Sequence, residues 1–356
     1  MTDDDRWVGM GRWLAPRLGT TGEVRVVDPG APAGVGYSAE TVVFTAEYRT
    51  DAREQSRRFV LRAETPDPPV YPAQAPGFDV EIEIQRAVMH ALAAASDVPL
   101  APIFGAEADA GVIGTPFFVM DFVEGEVPPV DPPYPAAGFF ADAAPGDRTR
   151  MIEDGLRVMA GIHAVDWRAA GLDWLVPAGA EPTLRRQLDL WEAYARRELG
   201  ERRHPVLERA FRLLGAELSE PSPPALCWGD PRPGNMIWRD FRCACVTDWE
   251  AAAIAPAELD LGWWLMFDRS CHEVPGIARL DGEPTREEQR ELYAAAAGRA
   301  VGDTWLHEVF AAARYAAIVV RVMNRAVERG HMPADHTIWL ENPAATCLVQ
   351  LLDERG

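Results

Sequence analysis

The chain has 356 residues, of which 48% are hydrophobic, enough material for a large core and for two lobes or domains. Its 35 Lys and Arg stand against 55 Asp and Glu, a formal charge of -20 with a pI near 4.8, so a nucleic-acid backbone or an anionic membrane surface would be repelled. Five cysteines with no C-x-x-C pair indicate neither a disulfide framework nor a zinc site. The acidic start, Met-Thr-Asp-Asp-Asp, lacks the basic residues of a secretory signal, and no apolar run reaches about 18 residues. The expectation is a cytoplasmic protein with neither a nucleic-acid nor a membrane partner.

Residues 6–18 read as a short amphipathic helix with Trp7, Met10, Trp13 and Leu14 on one side. Residues 23–27, 41–48 and 58–62 read as strands of an antiparallel sheet, the first two joined by Gly34-Val35-Gly36-Tyr37-Ser38. A glycine turn of this kind lets backbone N–H groups approach a phosphate, although glycine turns in hairpins are common. Residues 65–77 are Pro-rich and form a loop. A helix over 79–95 follows, with Val80, Ile84, Ala87, Val88, Ala91 and Leu92 as its buried stripe. Residues 117–123 are an apolar strand, and the Pro-rich run through Pro135 reads as a hinge. From about residue 149 the pattern is mainly helical, over 149–165, 183–199, 204–219, 258–272, 286–300 and 305–329. Thr285 and Glu288 make a capping box that marks one of these helix starts. The fold class is therefore α+β, with a small antiparallel β-rich N-terminal lobe over 1–125 and a larger, mainly helical C-terminal lobe over 126–356.

The stretch 226–250 interrupts the helices. Gly229, Pro231, Pro233 and Gly234 mark a tight loop that holds Asp230 and Asn235. Residues 236–239 and 243–247 read as a hairpin, which sets residue 235 opposite residue 248. Asn235 and Asp248 then offer two oxygen ligands for a hard divalent cation, beside the free carboxylate of Asp230. That combination suits phosphoryl transfer.

These residues, Trp228-Gly229-Asp230-Pro231-Arg232-Pro233-Gly234-Asn235 followed by Asp248-Trp249-Glu250, resemble the signature of the aminoglycoside phosphotransferase and choline kinase-like family within the protein kinase-like fold. The resemblance runs over nearly the whole chain, from the glycine turn to the C-terminal helices. It implies a bilobal kinase-like fold, ATP or GTP as co-substrate, Mg²⁺, and a small molecule with a hydroxyl as acceptor. Asp230 is implied as the catalytic aspartate, Asn235 and Asp248 as metal ligands, and Asp260 as the brace of the catalytic loop. Gly34, Gly36, Ser38 and Arg62 would bind the phosphates, and Met120, Asp121, Phe122 and Val123 the base.

Three departures place the chain in a divergent branch: Trp228 for the usual His, Arg62 for the usual Lys, and Gln85 where a helix Glu usually pairs with that cation. Glu81, one turn earlier on the same face, is a second candidate for that pairing. Trp263 could wall a substrate pocket or simply pack, and Asp268, Glu273 and Glu308 lie where such enzymes build the acceptor pocket. His163 reads as a buried, satisfied histidine. The departures also motivate an alternative, a catalytically degenerate kinase-like protein that binds and senses nucleotide.

Overall fold

The computed structural model describes residues 3–30, 39–50, 53–75, 77, 80–219 and 222–355. Helix α1 (Asp3–Arg17) precedes three strands, β1 (Arg25–Gly30), β2 (Glu40–Thr50) and β3 (Arg53–Ala63). After them come α2 (Glu81–Ala95), β4 (Ile103–Glu107) and β5 (Phe117–Asp121). The strands form one five-stranded sheet in the order β1-β2-β3-β5-β4, with every neighbouring pair antiparallel. Alternation selects the buried face. Val42, Phe44 and Ala46 of β2 and Phe59 and Leu61 of β3 pack with Met10, Trp13 and Leu14 of α1. Arg62 falls between Leu61 and Ala63 and so points to the opposite face of the sheet.

The helical lobe contains α3 (Pro145–His163), α4 (Leu184–Leu199), α5 (Pro205–Glu217), α6 (Glu258–His272), α7 (Arg286–Ala297), α8 (Trp305–Glu328) and α9 (Pro343–Asp353). Two small antiparallel ladders are set into it, β6 (Pro224–Cys227) with β9 (Ala253–Pro256), and β7 (Met236–Arg239) with β8 (Arg242–Val246). Among the described residues, no helix is long and apolar enough to cross a membrane. Thr285 and Glu288 form the expected capping box at the start of α7. That helix stops before residue 300 because Gly298 adopts φ 63°, a left-handed cap.

Four elements escape the periodicity reading. Strands β4, β6 and β9 have only four or five residues each, and their pairing partners decide them. Helix α9 did carry a local signal, with Asn342 as N-cap accepting from the Ala345 amide at 3.0 Å and Pro343 in the first turn.

The hairpin register also differs from expectation. Asp240 and Phe241, at φ 51° and 57°, form a two-residue turn, and a register shift between Ile237 and Trp238 leaves Ala244 as the extra residue of a bulge. The pairs are Trp238 with Cys243, Ile237 with Cys245 and Met236 with Val246. Asn235 is therefore opposite Thr247, whose amide donates to the Asn235 carbonyl at 2.9 Å, and Asp248 is the next residue beyond the pair.

Helices α6 and α8 meet at Gly262, where an added Cβ would lie 2.6 Å from the His307 carbonyl carbon and 2.7 Å from its Cβ. Gly→Ala inside a helix ordinarily stabilises by roughly 0.8–1 kcal/mol. Here the backbone contact reverses the sign, and Gly262→Ala should destabilise by about 1–3 kcal/mol. Urea unfolding checks this, and a rise in the midpoint would refute it.

Candidate active site

The antiparallel pairing of Leu226 with Ile254 and of Cys227 with Ala253 brings the loop 228–235 to the end of a two-stranded ladder. Asp260, completely buried in the first turn of α6, accepts the Trp228 amide on Oδ2 at 2.6 Å and the Gly229 amide on Oδ1 at 2.9 Å. His163 Nε2 lies 3.0 Å from the same Oδ2, and its Nδ1 lies 2.6 Å from the Tyr293 hydroxyl. Arg314 of α8 donates to the Gly229 carbonyl at 2.9 Å, and its guanidinium sits 4.8 Å from the ring centre of Trp191 and 4.7 Å from that of Trp263. Two aromatic faces thus stabilise a buried cation whose Nε and Nη1 make no hydrogen bond among the described residues. Gly229 has φ 95°, and a Cβ there would stand 2.0 Å from the Ala251 carbonyl oxygen, so the loop accommodates only glycine.

This scaffold aims Asp230. Its Oδ1 accepts the indole N–H of Trp263 at 2.7 Å, and its Oδ2 accepts the Asn235 amide at 2.8 Å. The Tyr71 hydroxyl at 3.3 Å and Arg232 Nε at 3.4 Å complete the surroundings of Oδ2. Asn235 Nδ2 also donates to the Asp230 carbonyl at 3.0 Å, which turns the side-chain oxygen of Asn235 away from Asp230. Asp248 adopts φ 57°, unusual for a non-glycine residue, and its side chain is 35% exposed. The indole of Trp228 holds that backbone in place, donating to the carbonyls of Thr247 at 2.8 Å and Asp248 at 3.2 Å. An amide oxygen with its nitrogen engaged elsewhere, and an accessible carboxylate, are a donor pair that fits a hard divalent cation.

Arg62 reaches this site from β3. Its Nη1 is 3.5 Å from Asp248 Oδ1 and its Nη2 is 3.4 Å from Glu250 Oε2, while Thr41 Oγ1 accepts from Nη1 at 2.5 Å. Gln85 of α2 donates to the same Glu250 Oε2 at 2.7 Å. Gln85 therefore meets the cation's partner and not the cation. Glu81, the other candidate for pairing with Arg62, is buried beside the chain segment that follows β3 and accepts the Val70 amide at 2.9 Å. Burial pushes its carboxyl up, against the opposing effect of that amide. Arg62, Gln85, Met89, Met120, Cys245, Val246, Thr247 and Asp248 line one cleft between the sheet, α2 and the hairpin.

Of the residues expected to hold the base, Met120 lines this cleft and Asp121 is tied to Arg57 at 2.6 Å. The Phe122 amide donates to the Arg58 carbonyl at 3.3 Å, and Val123 packs against the main core. Gly34, Gly36 and Ser38 lie outside the described residues.

Trp263 is buried and serves Asp230 with its indole, a role distinct from both wall and filler. Asp268 does not stand open to a pocket. It is buried, with Arg279 on both carboxylate oxygens and Gln289 on Oδ1 at 2.8 Å. Arg279 also argues against a cation in the Asp268, His272 and Glu283 cluster, since it already neutralises Asp268. Glu273 pairs with Arg286, and Glu308 is buried and accepts from Thr304 at 2.9 Å. Reading by residue type missed Glu250, Tyr71 and Arg232. Only Arg232 carried a signal, as the one cation inside the Asp230 loop, whereas Tyr71 stands 159 positions from Asp230 in the chain.

A family model described as the phosphotransferase enzyme family matches residues 31–308. Among curated proteins, a probable acyl-CoA dehydrogenase from Arabidopsis thaliana, IBR3, is 27% identical over 240 residues, 65% of this chain and 27% of that protein. The chain spans about a quarter of the length of the curated relatives it matches. Among solved structures, a Ralstonia eutropha protein provisionally described as an aminoglycoside phosphotransferase is 23% identical, with TM-score 0.67 over 96% of this chain and 94% of that one. Choline kinase from Cryptosporidium parvum is 13% identical, with TM-score 0.62 over 99% and 95%. The fold is the bilobal protein kinase-like one, and the chain belongs to the phosphotransferase enzyme family.

Proposed function

We propose that the protein is a Mg²⁺-dependent small-molecule kinase that moves the γ-phosphoryl group of ATP or GTP to a hydroxyl. The observation that carries this reading is the convergence of Arg62, Asp230, Asn235 and Asp248 at the meeting of the two lobes. In this reading residues 1–125 bind the nucleotide and residues 126–356 supply the base, the metal ligands and the acceptor site. The base lies along 119–123, Arg62 holds two phosphate oxygens with its planar fork, and Gly34, Gly36 and Ser38 contribute to phosphate binding. Asp230 orients the acceptor hydroxyl and takes its proton, a contribution on the order of 10²–10⁴-fold. Trp263 and Asn235 keep its carboxylate aimed. Asn235 and Asp248 would hold Mg²⁺, which supplies neutralisation of the charge on the transferring group. Five free cysteines and an intracellular supply of nucleotide support a cytoplasmic setting.

The departures that motivate a degenerate sensor each have a physical counterpart that supports activity. Trp228 ties the Asp230 loop to the Asp248 backbone through its indole. Arg62 replaces Lys in a chain that contains no lysine, so the exchange follows composition and is no mark of an idle site. Its counter-ion is Glu250, and Gln85 holds that carboxylate. The acceptor belongs to hydroxylated small molecules: aminoglycosides, amino alcohols, sugars or hydroxyacyl compounds. The acyl-CoA dehydrogenase relatives put hydroxyacyl thioesters on the panel for an ADP-release screen.

Asp230→Ala is expected to abolish ADP release with every acceptor that the wild type uses, while calorimetry still detects Mg·AMP-PNP binding. Asp248→Asn should remove the Mg²⁺ dependence of that binding. Near-wild-type transfer by Asp230→Ala would sink the assignment.

Among the described residues, Glu250→Gln leaves Arg62 with Asp248 as its remaining charged partner in direct contact. The loss of a charge-assisted contact worth about 1.5–3 kcal/mol should weaken Mg·AMP-PNP binding by at least roughly tenfold. Moving the carboxylate onto α2 in the double variant Gln85→Glu/Glu250→Gln should restore most of the affinity. Unchanged binding in Glu250→Gln, or no recovery in a folded double variant, would show that Glu250 does not position Arg62.

A further inference from the structure

Between β3 and α2 the chain leaves the sheet and crosses to the helical lobe, where it is fastened at several points. Arg321 of α8 donates to the carbonyls of Pro68 at 3.1 Å and Pro69 at 3.4 Å, and Arg325 also donates to Pro68. From α4, the Tyr194 hydroxyl donates to the Val70 carbonyl, Arg186 donates to the Gln74 carbonyl, and Gln187 donates to the Gln74 side chain at 2.8 Å. Backbone carbonyls accept most of these bonds, so the path of the strap depends little on its own side chains. Val70, 3% exposed, and Ala75, 5% exposed, are buried side chains of the strap.

Held this way, the strap presents the hydroxyl of Tyr71 to Asp230 Oδ2 at 3.3 Å. A carboxylate has about four acceptor sites. Trp263 takes one on Oδ1 and Asn235 one on Oδ2, both with short bonds, and the Tyr71 hydroxyl sits on Oδ2 next to the more distant Nε of Arg232 at 3.4 Å. An acceptor that gives its proton to Asp230 must put an O–H in the same relation to the same carboxylate. Tyr71 is itself such an O–H donor. Burial and the neighbouring Asp230 push its phenol well above the ordinary tyrosine range, so it stays protonated in that role.

We infer that Tyr71 is a resident pseudo-acceptor: its hydroxyl marks the acceptor-hydroxyl subsite, keeps water off Asp230 in the resting protein, and is displaced by the true acceptor. This assignment rests on the kinase reading of the site. Water is the smallest alternative acceptor, and an exposed base beside a bound nucleoside triphosphate would let it attack the γ-phosphorus, releasing ADP and phosphate with the proton going to Asp230. The phenol blocks that position. Because the strap is fastened to α4 and α8, displacement of Tyr71 also couples acceptor entry to the helical lobe.

The test compares wild type and Tyr71→Phe, which keeps the ring and removes the hydroxyl. Three quantities are measured: ADP release from Mg·ATP with no acceptor, Mg·AMP-PNP affinity by calorimetry, and hydrogen exchange at the Val70 amide. Losing one hydrogen bond of ordinary net strength should expose Asp230 about fivefold more often. Acceptor-free ADP release should therefore rise about fivefold in Tyr71→Phe. Nucleotide affinity should be unchanged, and exchange at Val70 should accelerate. Unchanged or lower ADP release with intact nucleotide binding overturns the pseudo-acceptor and leaves Tyr71 as a support for Asp230. A parallel loss of nucleotide affinity also overturns it, as the mark of a general structural role. If the wild type binds no nucleotide, the kinase reading falls first; the strap contact then stands only if Tyr71→Phe accelerates Val70 exchange.

Discussion

The carboxylate of Asp260 is the constraint on which the rest of the site depends. It is fully buried, and it is occupied by two consecutive backbone amides and a histidine. A buried charge is tolerable only when its lone pairs are filled, and here the filling groups belong to the loop that carries Asp230. The loop cannot shift without stranding that charge. On its other side the same loop is held by Arg314, a cation kept in the interior by two tryptophan faces and one carbonyl. Opposite charges on two different helices, α6 and α8, thus clamp one glycine from two directions. The tight approach of α6 to α8 at Gly262 is what allows both helices to reach it.

From that fixed loop the electrostatics spread outward to the sheet. Arg62 is buried and faces two carboxylates, Asp248 and Glu250, from the helical lobe. Kinase-like proteins of the usual pattern pair this cation with a carboxylate on the α2-equivalent helix, within the same lobe. Here the counter-ion has moved across the cleft and α2 contributes a neutral amide that steadies it. The charge balance at Arg62 is kept while the tie becomes one between lobes. The strap from β3 to α2 is a second tie of the same kind, made by arginines on backbone carbonyls. Both link the sheet side of the cleft to the helices around Asp230.

Local pattern accounted for much of this. Apolar alternation located β2 and β3, helical periodicity located α2 to α8, and the Gly and Pro of 229–234 marked an irregular loop with Asp230 and Asn235 inside it. Those signals are short-range, because they arise from backbone preference and from which face of one element is wet. Register was the first quantity to slip: a bulge at Ala244 moved the partner of Asn235 to Thr247, since an extra residue in one strand has no signature of its own. The short strands β4, β6 and β9 likewise rest on the neighbours that pair with them.

The amino-acid sequence by itself determined the fold class, the loop, and the residues with the chemistry for a base and a metal pair, because those depend on residue type and near spacing. Only the tertiary structure decided who their partners are. Glu250 answers Arg62 across 188 positions, Tyr71 reaches Asp230 across 159, and Trp263 turns out to serve the Asp230 carboxylate across 33. Asp268, a free carboxylate by type, is closed by Arg279. A hydrogen bond or an ion pair is a property of two side chains at one distance, and that distance is set by how sheet, strap and helices pack.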